Sequence, residues 1–167
     1  MICKADILIK KLNLQKHPEG GYFKEIYRSV EVIPKTALPD RYSNFRNYST
    51  SIYFLLKEND FSAFHRVKSD EIWHYYKGNS SVNIYIINNQ GELEEKILSD
   101  SIDKGQFQVI IPAGEWFSAK LSKINSFALM GCTMSPGFEY DDFELADRNI
   151  LTKEFPQYKD IIRKMTY

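Results

Sequence analysis

The chain has 167 residues, 43% hydrophobic and 26% charged, the proportions of an ordinary globular domain with enough length to bury a substantial core. Lysine and arginine number 22 and aspartate and glutamate number 22, so no net field draws the chain to nucleic acid or an anionic membrane. No segment has the uninterrupted apolar length a membrane helix needs, which sets aside a helical membrane role as well. Aromatic residues reach 14%, a composition that suits pleated sheet faces and ligand pockets alike. Lys4, Asp6, Lys10 and Lys11 break any apolar run near the start, and Cys3 and Cys132 form no CxxC pair. A cytoplasmic location with free thiols is expected.

In chain order, ADILIKKLNL spaces Ile7, Leu8, Leu12 and Leu14 as a short amphipathic helix. His17-Pro18-Glu19-Gly20-Gly21 ends it, and YFKEIYRSVEV reads as a strand. Residues 34–47 mix Pro, Asp, Ser and Asn and predict a surface loop. Short strands follow at 49–56, 62–67, 71–76, 81–87 and 93–98, divided by END, KSD, KGNS and NNQGE turns. QFQVII, EWFSAKL and SFALMGCTM complete a set whose spacing predicts a mainly β barrel or sandwich. Residues 145–165 return to helical spacing, with Pro156 near a helix start. No linker or repeat interrupts the chain. One domain is expected, with a barrel core at about 22–144 and a helical segment at about 145–165, forming one or two helices.

Alternate residues of a strand share a face, so Glu71, Trp73 and Tyr75 point together. Lys68-Ser69-Asp70 is short enough to pair the flanking strands as a hairpin, which would bring His65 and Glu71 together as an acid/base pair or half a metal site. His74 faces the other way, and His17 belongs with the turn beside Pro18. The Glu19-Gly20-Gly21-Tyr22 segment reads first as a turn entering a strand. Its alternative role sends Glu19 and Lys24 to the barrel mouth to bind a polar ligand. Pro112-Ala113-Gly114 is a turn, and Glu139 is expected in solvent or at the rim.

HRVKSDEIWHYYKG (65–78) resembles the first motif of the cupin superfamily, with His65, Glu71 and Gly78 at the right spacing and Val67 in place of a second His. GQFQVIIPAGEWF resembles the second motif through Gly105, Pro112 and Gly114, with one extra residue between Gly105 and Pro112. Phe117 stands where a third His is expected. With HPEGGYFKEIYRS, STSIYFLL, IPAGEWFSA and CTMSPGFEYDDFE in order, the chain is similar to the small Cupin-5 family of unknown function. The resemblance implies a cupin-type jelly-roll barrel, commonly a homodimer.

Metal-dependent cupins use three His and one Glu; here only His65 and Glu71 remain, and two ligands seldom retain a catalytic transition metal. No cofactor is therefore expected, a divalent metal on His65 and Glu71 being the lesser reading. The resemblance points instead to metal-independent cupins such as sugar-nucleotide epimerases, in which a barrel His takes a proton next to a carbonyl and a Tyr returns one. His65 would be the base, Glu71 would hold its tautomer, and Tyr53, Tyr75 or Tyr85 would be the acid. Trp73, Phe117, Glu19, Lys24 and Ser51 are the expected ligand contacts. The expected function is an isomerase, epimerase or lyase acting on a small polar or carbohydrate-like metabolite; the alternative is a binding or sensing module without catalysis.

Overall fold

The computed structural model describes residues 4–167; Cys3 lies outside the described residues. Helix α1 (Lys4–Leu12) is amphipathic, as its spacing predicts, and buries Ala5 against Leu55, Phe127 and Leu129. Then come the short β1 (Gln15–Lys16), β2 (Tyr22–Arg28), and a small pair flanking most of the expected loop, β3 (Val32–Ile33) just before it and β4 (Arg46–Asn47) at its end. The main strands are β5 (Thr50–Lys57), β6 (Phe61–Val67), β7 (Asp70–Gly78), β8 (Val82–Ile87), β9 (Leu93–Leu98), β10 (Gln108–Ile111), β11 (Trp116–Leu121) and β12 (Phe127–Ser135). Most are rich in β-branched and aromatic residues and bounded by turn sequences. Asn88 to Gly91 closes the β8–β9 hairpin, with the Gly91 amide on the Asn88 carbonyl (2.8 Å) and Gly91 at φ +78°.

Two antiparallel sheets face each other, in the orders β1-β2-β5-β12-β7-β10 and β13-β6-β11-β8-β9, where β13 is the short strand Phe143–Leu145. They form a jelly roll whose core lies between the sheets and includes Phe54, Leu56, Trp73, Ile84, Ile86 and Phe117. The ladders do not close into a continuous barrel. The expected His65–Glu71 hairpin is not present: β6 pairs with β11 and β13, and β7 with β12 and β10. Lys68-Ser69 is a corner between sheets, and its short polar sequence suits a crossing as well as a hairpin.

The C-terminal segment forms two helices, within the one or two expected, after a short strand. Leu145 pairs with His65 in β13 (Phe143–Leu145), and helices α2 (Arg148–Glu154) and α3 (Lys159–Lys164) follow, divided by a 3-10 turn opened by Pro156. Asp147 caps α2 by accepting from the Asn149 and Ile150 amides. These helices cover the outer side of the smaller sheet through Leu151 and Ile162, packed with Phe64 and Trp116. No helix of the described residues is long and apolar enough to cross a membrane.

An ion pair fixes the approach to β13. The guanidinium of Arg46 holds both carboxylate oxygens of Asp142 at 2.5 Å, with both side chains nearly inaccessible (2% and 1%). Its remaining nitrogen donates to the Asn44 and Phe45 carbonyls. Removing one partner of such a pair leaves an uncompensated buried charge. Asp142→Asn is therefore expected to lose about 3–5 kcal/mol in urea unfolding. A loss below about 1 kcal/mol would show that the pair contributes no more than an exposed one.

Candidate functional site

A cavity opens between the sheets, lined by His17, Glu19, His65, Glu71, Cys132 and a largely aromatic wall that includes Phe23, Phe54 and Phe143. It holds about 700 Å³ of atom-free space including its open mouth. The larger sheet supplies Phe23, Ile52, Phe54, Glu71 and Cys132; the smaller supplies His65, Val67 and Phe143.

Glu19 enters because of the two glycines after it. Gly20 (φ +109°) and Gly21 (φ +69°) turn the chain, and a Cβ on Gly20 would lie 2.1 Å from the Phe61 carbonyl oxygen. Only glycine tolerates that approach and those angles together. The turn brings the Glu19 carbonyl to the Ala63 amide (2.8 Å) and its side chain into the cavity, 6% exposed. There Ser62 Oγ donates to Oε1 (2.8 Å), and Oε2 lies 3.1 Å from His65 Nε2 and 3.3 Å from His17 Nδ1. Ser62 and His65 reach one carboxylate because β6 carries one extra residue against β11, which puts two residues three apart on the same face.

His65 is 2% exposed. Its Nδ1 meets the Ala63 carbonyl oxygen at 2.7 Å, so Nδ1 carries the hydrogen, because a carbonyl only accepts. Nε2 therefore turns its lone pair toward Glu19 Oε2, and a proton between the two makes that contact a hydrogen bond. Burial pushes the His65 pKa below the ordinary histidine range, although the Glu19 charge and the Ala63 carbonyl pull upward. Burial alone would raise Glu19, but His65, His17 and Ser62 outweigh it and hold the carboxyl below its usual range. Without that proton the pair presents two acceptor atoms aimed at one point, an arrangement that favours taking one up.

Glu71 is the opposite case. Burial first, and then the Glu19 charge, push its pKa up to about 8, so it is a neutral carboxylic acid at pH 7. Its neighbours are the Cys132 thiol, itself held protonated by burial and by Glu71 and Glu19, and the Trp73 indole, whose Nε1 makes no hydrogen bond of ordinary geometry. A base and a neutral acid thus line one cavity, set apart by environment.

The sequence-predicted residues divide sharply. His65, Glu71 and Glu19 meet in the cavity. Phe117 lies beneath the His65 ring with centroids 4.0 Å apart and supports it without lining the cavity. Glu71 does not hold the His65 tautomer; Ala63 does. Trp73 packs against Phe54 and Phe117 in the core and does not line the cavity. Tyr75 points inward but farther along the sandwich, its hydroxyl on the Ser80 carbonyl (2.9 Å), its pKa pushed up to about 12 by burial and Asp100. Tyr53, Ser51 and Lys24 do not line the cavity, because Ile52, Phe54, Phe23 and Glu25 take the inward positions of β5 and β2. Tyr85 packs with the group beneath α2 and α3, so none of the three tyrosines lines the cavity.

His17, Glu25, Arg28, Phe138 and Tyr140 are site residues that the sequence did not mark. One extra residue in β2 between Glu25 and Tyr27 turns Arg28 inward in place of Tyr27. Glu139 lies at the rim, as expected, where it accepts from Arg28 Nη1 at 2.6 Å.

The model of the Cupin superfamily (DUF985) family Cupin-5 matches residues 6–146. The chain belongs to the Cupin-5 family. It is similar to protein SO0799 from Shewanella oneidensis (35% identity, TM-score 0.88) and to a hypothetical protein from Leishmania major (28%, 0.87), covering 99% of both chains in each comparison. Oxalate decarboxylase from Bacillus subtilis matches 90% of this chain and 36% of its own at 16% identity (TM-score 0.54), a likeness of fold alone. Comparison with curated proteins returned no match.

The donor set does not fit a cupin metal. Val67 and Phe117 offer no donor, and the Nε2 atom of His65 faces Glu19. Among the described residues no three His, Cys, Asp or Glu side chains converge as a ligand set.

Glu71 gives the site a pH signature. Its folded pKa lies above the ordinary carboxyl value of 4.5, so the folded state binds the extra proton, and stability falls as pH rises from about 5 through about 8. Glu71→Gln removes that slope. Between pH 5 and 9 the wild-type protein is expected to lose stability relative to this variant, by an amount on the order of several kcal/mol, read from urea unfolding. Parallel pH profiles would show that Glu71 titrates normally.

Proposed function

We propose that this protein is a metal-independent proton-transfer enzyme, an isomerase, epimerase or lyase acting on a small polar metabolite. The observation that supports it most is the pair of buried carboxyl groups shifted in opposite directions within one apolar cavity, Glu19 with His65 as base and Glu71 as acid. The His65–Glu19 pair takes a proton from a carbon next to a carbonyl, and the electron pair moves onto the carbonyl oxygen. Glu71 gives its proton to that oxygen as the enol forms; return of the base pair's proton to the carbon and of the oxygen's proton to Glu71 restores both groups. A buried, aromatic setting strengthens these transfers by excluding water. Glu71 replaces the tyrosine acid expected from family resemblance, and a carbohydrate-like substrate is one compatible class.

The test is hydrogen–deuterium exchange into carbonyl metabolites in deuterated water, followed by proton NMR. Loss of one carbon-bound proton signal with the wild-type protein, and its retention with His65→Gln, is the expected result. The rate should rise with pH through the depressed His65 pKa, below 6.5, and fall as Glu71 loses its proton near 8. A ligand recovered without exchange would establish the alternative, a binding module. Stoichiometric metal in the purified protein, required for exchange, would overturn the metal-independent reading.

The protein is further proposed to act as a homodimer in the cytoplasm. Ile26 (45% exposed), Tyr76 (49%) and Ile110 (55%) on strands of the larger sheet support an association surface there. Light scattering should give twice the 19.6 kDa chain mass, and a value of one chain mass would refute the dimer.

A further inference from the structure

The mouth of the cavity carries charge that the acid–base chemistry does not use. Arg28 is its one arginine, and the lining contains no lysine. All of the guanidinium's N–H groups are engaged. Nε and Nη2 donate to the two carboxylate oxygens of Glu25 (3.1 and 2.8 Å), Nη1 to Glu139 (2.6 Å) and Asn47 (2.9 Å), and Nη2 also to the Phe138 carbonyl (3.0 Å). No guanidinium donor is left for an anionic ligand. Arg28 faces two carboxylates, so the mouth carries one net negative charge, and Glu19 adds another at the floor.

The wall around that charge is aromatic. Phe138, Tyr140 and Phe143 form a cluster with ring centroids 5.1 to 6.5 Å apart, and His17 stands edge-on to Phe23 at 4.5 Å. Aromatic surfaces attract cations and offer anions nothing. Glu71, 7% exposed, lines the same cavity, and among the described residues its carboxyl receives no hydrogen bond from a backbone amide or hydroxyl. Its side-chain partners are the Cys132 thiol and the Trp73 indole, which leave carboxyl hydrogen-bonding capacity open to a ligand group.

We propose that this pocket selects a small organic cation, an amine or quaternary ammonium compound whose charged end sits at the mouth among Glu25, Glu139, Phe138 and Tyr140. This rests on the acid–base reading of the floor, which acts on the ligand's far end. Phosphorylated and carboxylated metabolites are disfavoured, because every positive group of the lining already faces a carboxylate or an aromatic ring.

Three probes of one shape and different charge test it: choline, its neutral isostere 3,3-dimethylbutan-1-ol, and the anion 3,3-dimethylbutanoate, each titrated calorimetrically into the full chain at neutral pH and low salt. Choline should bind about tenfold more tightly than the alcohol, and the carboxylate more weakly than both. Glu139→Gln neutralises the net charge of the mouth at a half-exposed position, and should cut the choline preference to about twofold, with circular dichroism confirming the fold. Tyr140→Ala should act in the same direction. Equal or reversed preference, no binding by any of the three, or an unchanged preference in Glu139→Gln would overturn the cation assignment. None of those results touches the isotope-exchange test of His65. Cation preference without exchange in any metabolite would instead leave a cation-binding module and remove the enzyme.

Discussion

The buried carboxylate of Glu19 is the constraint around which the site is arranged. A carboxylate removed from water without partners costs far more than a domain's net stability allows. Here Ser62, His65 and His17 surround it, and the Ala63 amide binds its carbonyl. That arrangement needs the two glycines of the 17–21 turn, since a side chain at Gly20 would meet the Phe61 carbonyl. It also needs the extra residue in β6 that turns Ser62 and His65 to one side. The same negative charge then helps to keep Glu71 protonated. One buried charge thus organises a turn, a strand irregularity and the ionisation of a second carboxyl.

Much of the fold was legible because apolar and β-branched runs alternate with turn sequences, and those local signals survive in nearly every strand. The site was legible only where the period of two held. Strand alternation and motif spacing single out His65 and Glu71, but the short Lys68-Ser69 link reads as a hairpin in the sequence and crosses between sheets in the structure. Both connections need a tight polar turn, so the local sequence does not separate them. Lys24, Ser51 and Tyr53 were placed on the wrong face because β2 and β5 have large or polar residues at both parities. An extra residue in β2 then reverses the parity at Arg28. The Glu-Gly-Gly run beside His17 was the available signal for Glu19: paired glycines imply close backbone approach.

Family membership explains the sandwich and leaves the chemistry to particular side chains. At 16% identity, the likeness to oxalate decarboxylase extends to how the strands are stacked and no further. Within that frame, Phe117 occupies a position where a metal-binding cupin would present a donor, and its ring supports His65 instead. The histidine is then held by Phe117 on one side, the Ala63 carbonyl at Nδ1 and Glu19 at Nε2. An imidazole fixed in tautomer and direction has the preorganisation that proton transfer requires.

The opposite shifts of Glu19 and Glu71 follow from how each is connected. Both are buried, and burial alone drives a carboxyl toward its neutral form. Glu19 escapes because a hydroxyl and two imidazoles face it, whereas Glu71 has a thiol and an indole for neighbours. Giving Glu71 the same partners would ionise it and leave two carboxylates repelling across a small cavity. Leaving both without partners would make both neutral and remove the base. Unequal connection yields an acid and a base from two identical functional groups, and it places the less well satisfied one where a ligand's polar group can complete it. A buried carboxyl left with so few partners costs stability, which is consistent with the ligand-binding role proposed for it.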